Sequence, residues 1–113
     1  MSVAHSTLLT YNAALNRQAY QSSVYVSQKG YGMYNASLAN DGNHETLVVT
    51  DSKARCSISQ HETNPWWAVD LGRLTTIYRV DLTNRGDTAR MCSFCLEFLN
   101  VQLLFKSGHS VHG

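Results

Sequence analysis

The most informative stretch of the chain is residues 64–72, which read NPWWAVDLG. Pro65 introduces a run in which Trp67, Val69 and Leu71 share one side of an extended strand, because successive side chains point to opposite faces. Gly72 ends the run. The pattern predicts a β-strand that packs one of the two tryptophans inward.

Runs of β-branched and aromatic residues on both sides of this stretch predict further strands at residues 19–25, 46–50, 75–83 and 99–105. Residues 40–43, NDGN, give the strongest turn signal, because Asn, Asp and Gly tolerate positive φ. The best helix candidate, residues 8–19, has poor apolar spacing. We therefore expect an all-β fold, an antiparallel β-sandwich.

The composition limits the function classes. The 113 residues suffice for one domain, and 43% hydrophobic with 15% charged residues predicts a folded core. Nine basic and eight acidic residues leave a net charge of +1, too small a field to favour nucleic acid. No apolar run approaches the roughly 20 residues that span a bilayer, and the first ten residues lack the features of a signal peptide.

Two motifs together resemble a known family. The NPWW motif and Val69-Asp70-Leu71 are followed by Asn84-Arg85-Gly86-Asp87, which closely resembles the pattern of the F-type (fucose-binding) lectins. The similarity covers roughly residues 12–87, and discoidin and coagulation-factor C-type domains are more distantly similar. It implies a galactose-binding-like jelly roll, an extracellular or cell-surface setting, a structural calcium ion and recognition of fucosylated glycans or glycoproteins.

The resemblance also implies a sugar site built from a histidine, two arginines and an aspartate. An arginine suits a neutral sugar because its planar guanidinium offers five fixed donors. The alignment places Ile58 at the histidine position and Cys92 at the second arginine position, and His61 and Arg90 lie three and two residues out of register. The predicted sugar-binding residues are Arg85, Asp87, His61 and Arg90.

The turn at residues 40–43 is the candidate metal site. Calcium takes six to eight oxygen ligands, and Asp41 and Asn43 would supply side-chain oxygens, with the carbonyl of Leu38 implied by the resemblance. The alternative is an ordinary Asx turn without a metal.

The resemblance stops near residue 88. We assign residues 1–11 to an N-terminal extension and residues 12–113 to the domain, with an atypical segment from about 88. Cys92, Cys95, His109 and His112 have an imperfect zinc-finger spacing. The other interpretation is a sandwich that is incomplete at its C-terminal end, lacking the late cysteine with which the family pairs the Cys56 position. Such a sandwich exposes a sheet edge and part of its core, and is marginal or completed by another chain.

Two functions remain open. The first is a lectin module that binds fucosylated glycans, and the alternative is a structural or protein-interaction module of the same fold with a degenerate sugar site. We do not expect an enzyme, because the chain contains no nucleophile elbow, no His-Glu-x-x-His motif and no phosphate loop. The oligomeric state stays open.

Overall fold

The computed structural model describes residues 10–86, 97–98 and 100–106. Short β-strands account for nearly all of the regular structure in these ranges. The strands are β1 (Thr10–Asn12), β2 (Ala19–Gln21), β3 (Val49–Thr50), β4 (Lys53–Ala54), β5 (Ser57–Ile58), β6 (Trp67–Val69), β7 (Arg79–Thr83), β8 (Glu97–Phe98) and β9 (Asn100–Lys106). A 3-10 helix spans Ala36–Ala39.

The described strands form four antiparallel groups. The largest is a three-stranded sheet in the order β1-β9-β7, and β2-β6, β3-β4 and β5-β8 form pairs. In β7-β9 the register places Leu82 opposite Val101, and in β2-β6 it places Gln21 opposite Trp67. The prediction of an all-β, antiparallel fold is confirmed.

The predicted alternation of the tryptophan strand is also confirmed. Trp67 and Val69 are partly buried, whereas Trp66 and Ala68 are exposed. The indole Nε1 of Trp67 donates a hydrogen bond of 3.0 Å to the carbonyl of Ala36. Its ring meets that of Phe98 edge to face, with centroids 5.8 Å apart. Trp67 is thus a packing residue that joins β6 to the 3-10 helix and to β8.

The buried apolar side chains are few and mostly small. Five of those in the described part of the chain are alanines, and Tyr34, Cys56 and Ile58 form the main cluster. Large apolar side chains such as Val80 and Leu82 are more than half exposed. No helix in the described ranges is long and apolar enough to cross a bilayer.

A buried asparagine positions the predicted turn at residues 40–43. The side-chain Nδ2 of Asn40 donates to the carbonyls of Ala14 at 2.7 Å and Arg17 at 2.9 Å. Its own carbonyl accepts a hydrogen bond of 2.7 Å from the backbone N–H of Asn16. Three hydrogen bonds therefore fasten the turn to the loop between β1 and β2.

Candidate functional site

Three segments that are distant in sequence meet at the apolar cluster. The backbone N–H of Tyr25 donates to the carbonyl of Ile58, and the N–H of Ile58 donates to the carbonyl of Tyr34. The Nε2 of Gln21 donates to the carbonyls of both Tyr34 and Ile58, at 3.1 and 3.2 Å. The buried Ser57 hydroxyl donates to the Oε1 of the same side chain. These bonds fix the segments around residues 25, 34 and 58 against one another.

A cavity of about 330 Å³ opens beside this junction. Three tyrosines contribute to its walls, and the rings of Tyr25 and Tyr34 pack at a tilt of 52° with centroids 5.5 Å apart. Polar groups come from the loop at residues 27–29. The lining also includes Tyr31, Val48 and Ile58. A cavity of this size, apolar with a few polar groups, is typical of small-ligand sites.

The loop that carries Arg85 is packed against the segment after the 40–43 turn. The N–H of Gly86 donates to the carbonyl of Thr46 at 2.7 Å. A Cβ at Gly86 would lie 3.0 Å from the Cβ of Thr46, so only glycine fits there without a shift. Arg85 is half-buried, and its Nη1 is shielded from solvent.

The hydroxyl of Tyr34 reports the environment of the cavity. Burial raises its pKa from the ordinary 10.0, and the nearby Cys56 and Tyr25 act in the same direction. A hydrogen bond with Ser27 and the positive charge of Arg85 partly oppose the increase. The positive charge of Arg85 acts on the Tyr34 hydroxyl, although Arg85 is not among the residues that line the cavity.

We expect Tyr34 to ionise later than the other tyrosines and to link stability to alkaline pH. Its folded pKa exceeds the unfolded value, so the folded chain retains a proton that the unfolded chain loses above about pH 10. The stability contribution is complete below that pH and is lost as the pH rises through the folded pKa. A tyrosinate absorbance titration should show one of the six tyrosines titrating late.

The Tyr34→Phe variant is the control for this titration. It should remove the late fraction and leave the rest of the curve unchanged. A wild-type curve in which all tyrosines titrate together, or a late fraction that persists in the variant, would contradict the assignment.

The two predicted sugar-binding residues that the structure describes, Arg85 and His61, have different surroundings. Arg85 acts electrostatically on Tyr34 and His61 is exposed on a bend, but neither residue is among those that line the cavity. Ile58, at the position where the resemblance implies a histidine, is 1% exposed and forms part of the cavity wall. At the position where the resemblance implies a histidine, the cavity wall therefore carries an apolar side chain. Asp87 and Arg90 lie outside the described residues.

Two of the predicted metal residues, Asp41 and Asn43, lie at one turn, and Leu38 lies in the preceding 3-10 helix. The Oδ1 of Asp41 accepts a hydrogen bond from the N–H of Asn43, and the Oδ1 of Asn43 accepts one from the N–H of Glu45, each 2.9 Å long. Gly42 has φ +84°, which favours glycine. Both side chains thus form Asx turns, as the alternative to a metal site predicts. A calcium ion at this turn stays a prediction.

No group of three or more His, Cys, Asp or Glu side chains within the described ranges could hold a metal ion. The hypothetical zinc ligands Cys92, Cys95, His109 and His112 fall outside those ranges. Cys56 is buried beside Ile58, and its pairing with a late cysteine stays a prediction.

The comparison with known families agrees with this architecture. A model of the F5/F8 type C group, described as a NedA-like, galactose-binding domain, matches residues 38–103, more than half of the chain. The chain belongs to this galactose-binding domain family. The match includes the tryptophan strand, the Arg85 loop and most of β9.

The chain is also similar to eel lectins. Fucolectin-1 of Anguilla japonica is 40% identical over 76 residues, which cover 67% of this chain and 40% of that protein. Fucolectin of Anguilla anguilla is 46% identical over 52 residues, 46% of this chain and 31% of that protein. The chain thus spans less than half the length of the relatives it matches. Their names are those of lectins, in agreement with the prediction of a binding module rather than an enzyme.

A solved structure shows the same fold. A histidine mutant of the lectin binding domain of Lectinolysin, complexed with Lewis b, superposes with a TM-score of 0.67 at 23% identity. The match covers 90% of this chain and 100% of that domain. It confirms the galactose-binding-like sandwich.

The sequence alone did not indicate the tyrosine cavity, whose lining residues lie between positions 25 and 58. A signal was present in the spacing of Tyr25, Tyr31 and Tyr34 around a loop with two glycines.

Proposed function

We propose that the chain is a carbohydrate-binding module that recognises fucosylated glycans. The proposal is supported by a tyrosine-lined cavity whose Tyr34 is influenced by the charge of Arg85, in a chain that resembles fucolectins. Sugar recognition breaks no bond, so the site needs fixed donors and an apolar surface rather than a nucleophile.

Fucose has an apolar and a hydrogen-bonding surface, and the proposed site offers a group for each. The sugar carries hydroxyl groups and a methyl group. The rings of Tyr25 and Tyr34, with Ile58, offer an apolar surface to the methyl group. The guanidinium of Arg85 offers donors to the hydroxyl oxygens in a rigid planar array.

The environment of Ile58 favours a second candidate function. Because Ile58 replaces the implied histidine, one polar contact to the sugar is absent from the wall. A module with a degenerate sugar site would instead bind a protein surface through the same loops.

A glycan array separates the two functions. We expect fucosylated glycans to bind and their defucosylated counterparts to fail, with titration calorimetry on L-fucose giving a 1:1 stoichiometry. An array without any fucosylated hit, together with capture of a cell-surface protein by the same sample, would favour the protein-interaction module. Binding that does not depend on the presence of fucose would contradict the proposal.

We further propose that calcium, held by Asp41 and Asn43 with the carbonyl of Leu38, stabilises the 40–43 turn. A bound cation would neutralise the exposed carboxylate and hold the loop on which Gly86 packs through Thr46. The chemistry of these oxygens suits calcium, which prefers hard carboxylate and carbonyl ligands. The remaining ligands would come from water or from other parts of the protein.

We expect calcium to raise the unfolding temperature and Asp41→Asn to remove the increase. At about 100 times its Kd a ligand adds about 2.7 kcal/mol to stability. The matched control is Asp70→Asn, because Asp70 also forms an exposed Asx turn, with the N–H of Gly72 at 2.8 Å. Differential scanning fluorimetry in calcium and in EGTA measures the shift. An unchanged wild-type curve, or an equal loss in both variants, would show that the turn holds no calcium.

An extracellular or cell-surface location is part of the same proposal. Fucosylated glycans are displayed on cell surfaces and secreted glycoproteins, so a module that binds them acts there. Asn35, which begins the sequon Asn-Ala-Ser, is exposed and accessible to glycosylation in that setting.

A further inference from the structure

Strand β7 forms an edge of the three-stranded sheet. Within the described ranges it pairs with β9 on one side only, in the order β1-β9-β7. The backbone N–H and C=O groups that point away from β9 are a template for another strand. The strand contains no proline, lysine or glycine that would discourage such pairing.

The two faces of β7 differ in chemistry. Tyr78, Val80 and Leu82 follow one face and are 50%, 52% and 55% exposed. On the neighbouring strand β9, Val101 lies opposite Leu82 and is only 2% exposed. The apolar surface therefore extends from the buried Val101 on β9 to the half-exposed apolar side chains of β7.

The other face of β7 carries a pair of opposite charges. The guanidinium of Arg79 donates two hydrogen bonds to the carboxylate of Asp81, at 3.0 and 3.2 Å, and both side chains are substantially exposed. The strand thus reads apolar, basic, apolar, acidic, apolar from residue 78 to residue 82. This order is complementary to itself when it is reversed.

Antiparallel pairing of β7 with a second β7 has one favourable register among those near its centre. When Val80 lies opposite its own copy, Arg79 faces Asp81 of the second molecule in both directions, and Tyr78 faces Leu82. Centring on Asp81 or on Arg79 places like charges directly opposite, which is destabilising. A one-residue slip places apolar side chains opposite charged ones.

We propose that two copies of this chain associate through their β7 edges in the register centred on Val80. The contact is isologous, as expected for a two-fold symmetric dimer, and it continues the β1-β9-β7 sheet across the axis. It joins the half-exposed apolar faces and converts each Arg79–Asp81 pair into a four-charge network. The association does not require a sugar, so it stands independently of the proposed lectin function.

Charge reversal tests both the surface and the register. Arg79→Asp alone makes the strand acidic, and Asp81→Arg alone makes it basic, so each variant should repel its own copy and run as a monomer. Mixed together, the two variants should form a heterodimer, because every acidic residue then faces a basic one. The double variant Arg79→Asp/Asp81→Arg restores complementarity and should dimerise like the wild type.

Sedimentation velocity over a concentration series measures these states, and circular dichroism checks that each variant is folded. The single variants should dimerise at least tenfold more weakly than the wild type, and the mixture should recover wild-type association. A wild type that stays monomeric at the highest concentration would overturn the proposal. This holds both if another segment of the chain covers β7 and if β7 is uncovered. Dimers that persist in both single variants, or a mixture that stays monomeric, would also overturn it.

Discussion

Replacing Arg85 with alanine is expected to weaken the binding of L-fucose by at least about 100-fold. A hydrogen bond to a charged donor contributes about 1.5–3 kcal/mol, and the guanidinium offers two in one plane, so the loss is about 3–5 kcal/mol. Each 1.4 kcal/mol corresponds to a factor of ten in affinity. Titration calorimetry with the purified variant measures the change.

Two further variants test whether the loss of affinity is specific to the guanidinium of Arg85. Arg85→Lys keeps the charge but loses the planar array, so it should retain an intermediate affinity. Arg73→Ala removes an exposed arginine from the loop after Gly72, outside the similarity to the sugar-site motif, and should bind as the wild type does. Equal losses in Arg73→Ala and Arg85→Ala would show a general effect of charge rather than a site.

Replacing Asn40 with aspartate is expected to be the most destabilising single change among the polar residues of the core. Asn40 is 1% exposed, and its Nδ2 donates to the carbonyls of Ala14 and Arg17. Aspartate would place a carboxylate oxygen against those two carbonyl oxygens. An uncompensated buried charge costs about 3–5 kcal/mol, a large part of the 5–15 kcal/mol that keeps a domain folded.

Urea unfolding measures this loss, with Asn64→Asp as the control because Asn64 is exposed. We expect a lower midpoint for Asn40→Asp and an unchanged midpoint for Asn64→Asp. Asn40→Ala removes the donors without adding a charge and should fall between them, at about 2–4 kcal/mol below the wild type. An Asn40→Asp variant as stable as the wild type at neutral pH would mean that Asn40 does not hold the turn.

The regular parts of the fold were predictable because their side chains alternate. The run from Trp67 to Leu71 and the run within β9 have the period of two that a strand with one buried face requires. The sequence also indicated β2 and β7, although β7 begins at Arg79 rather than Thr75. Residues 22–25 and 46–48, expected in strands, are irregular, since their backbone groups bond to loops rather than to a continuous ladder.

The remaining elements had no detectable pattern. Strands β4, β5 and β8 contain two residues each, too few to show a period. Ser57 and Ser59 are fully buried in spite of their polarity. For Ser57 the reason is a hydrogen bond to Gln21, which is 36 positions away and has no counterpart in local propensity.

The candidate site was predictable only in part for a related reason. The resemblance of the motif around Arg85 predicts a role in sugar binding, and that role stays a prediction. The cavity requires Tyr25, Tyr34 and Ile58 to converge, and long-range backbone bonds bring them together. Spacing along the chain does not encode such convergence.

A titration of isotope-labelled protein with L-fucose, followed by two-dimensional NMR, tests most directly whether sugar binds between Arg85 and the tyrosines. We expect saturable shift changes at Tyr25, Tyr31, Tyr34 and the side chain of Arg85, with little change around Tyr20 and Ser37 on the second, more polar pocket. A spectrum that does not change at saturating fucose, or changes confined to that second pocket, would contradict the account.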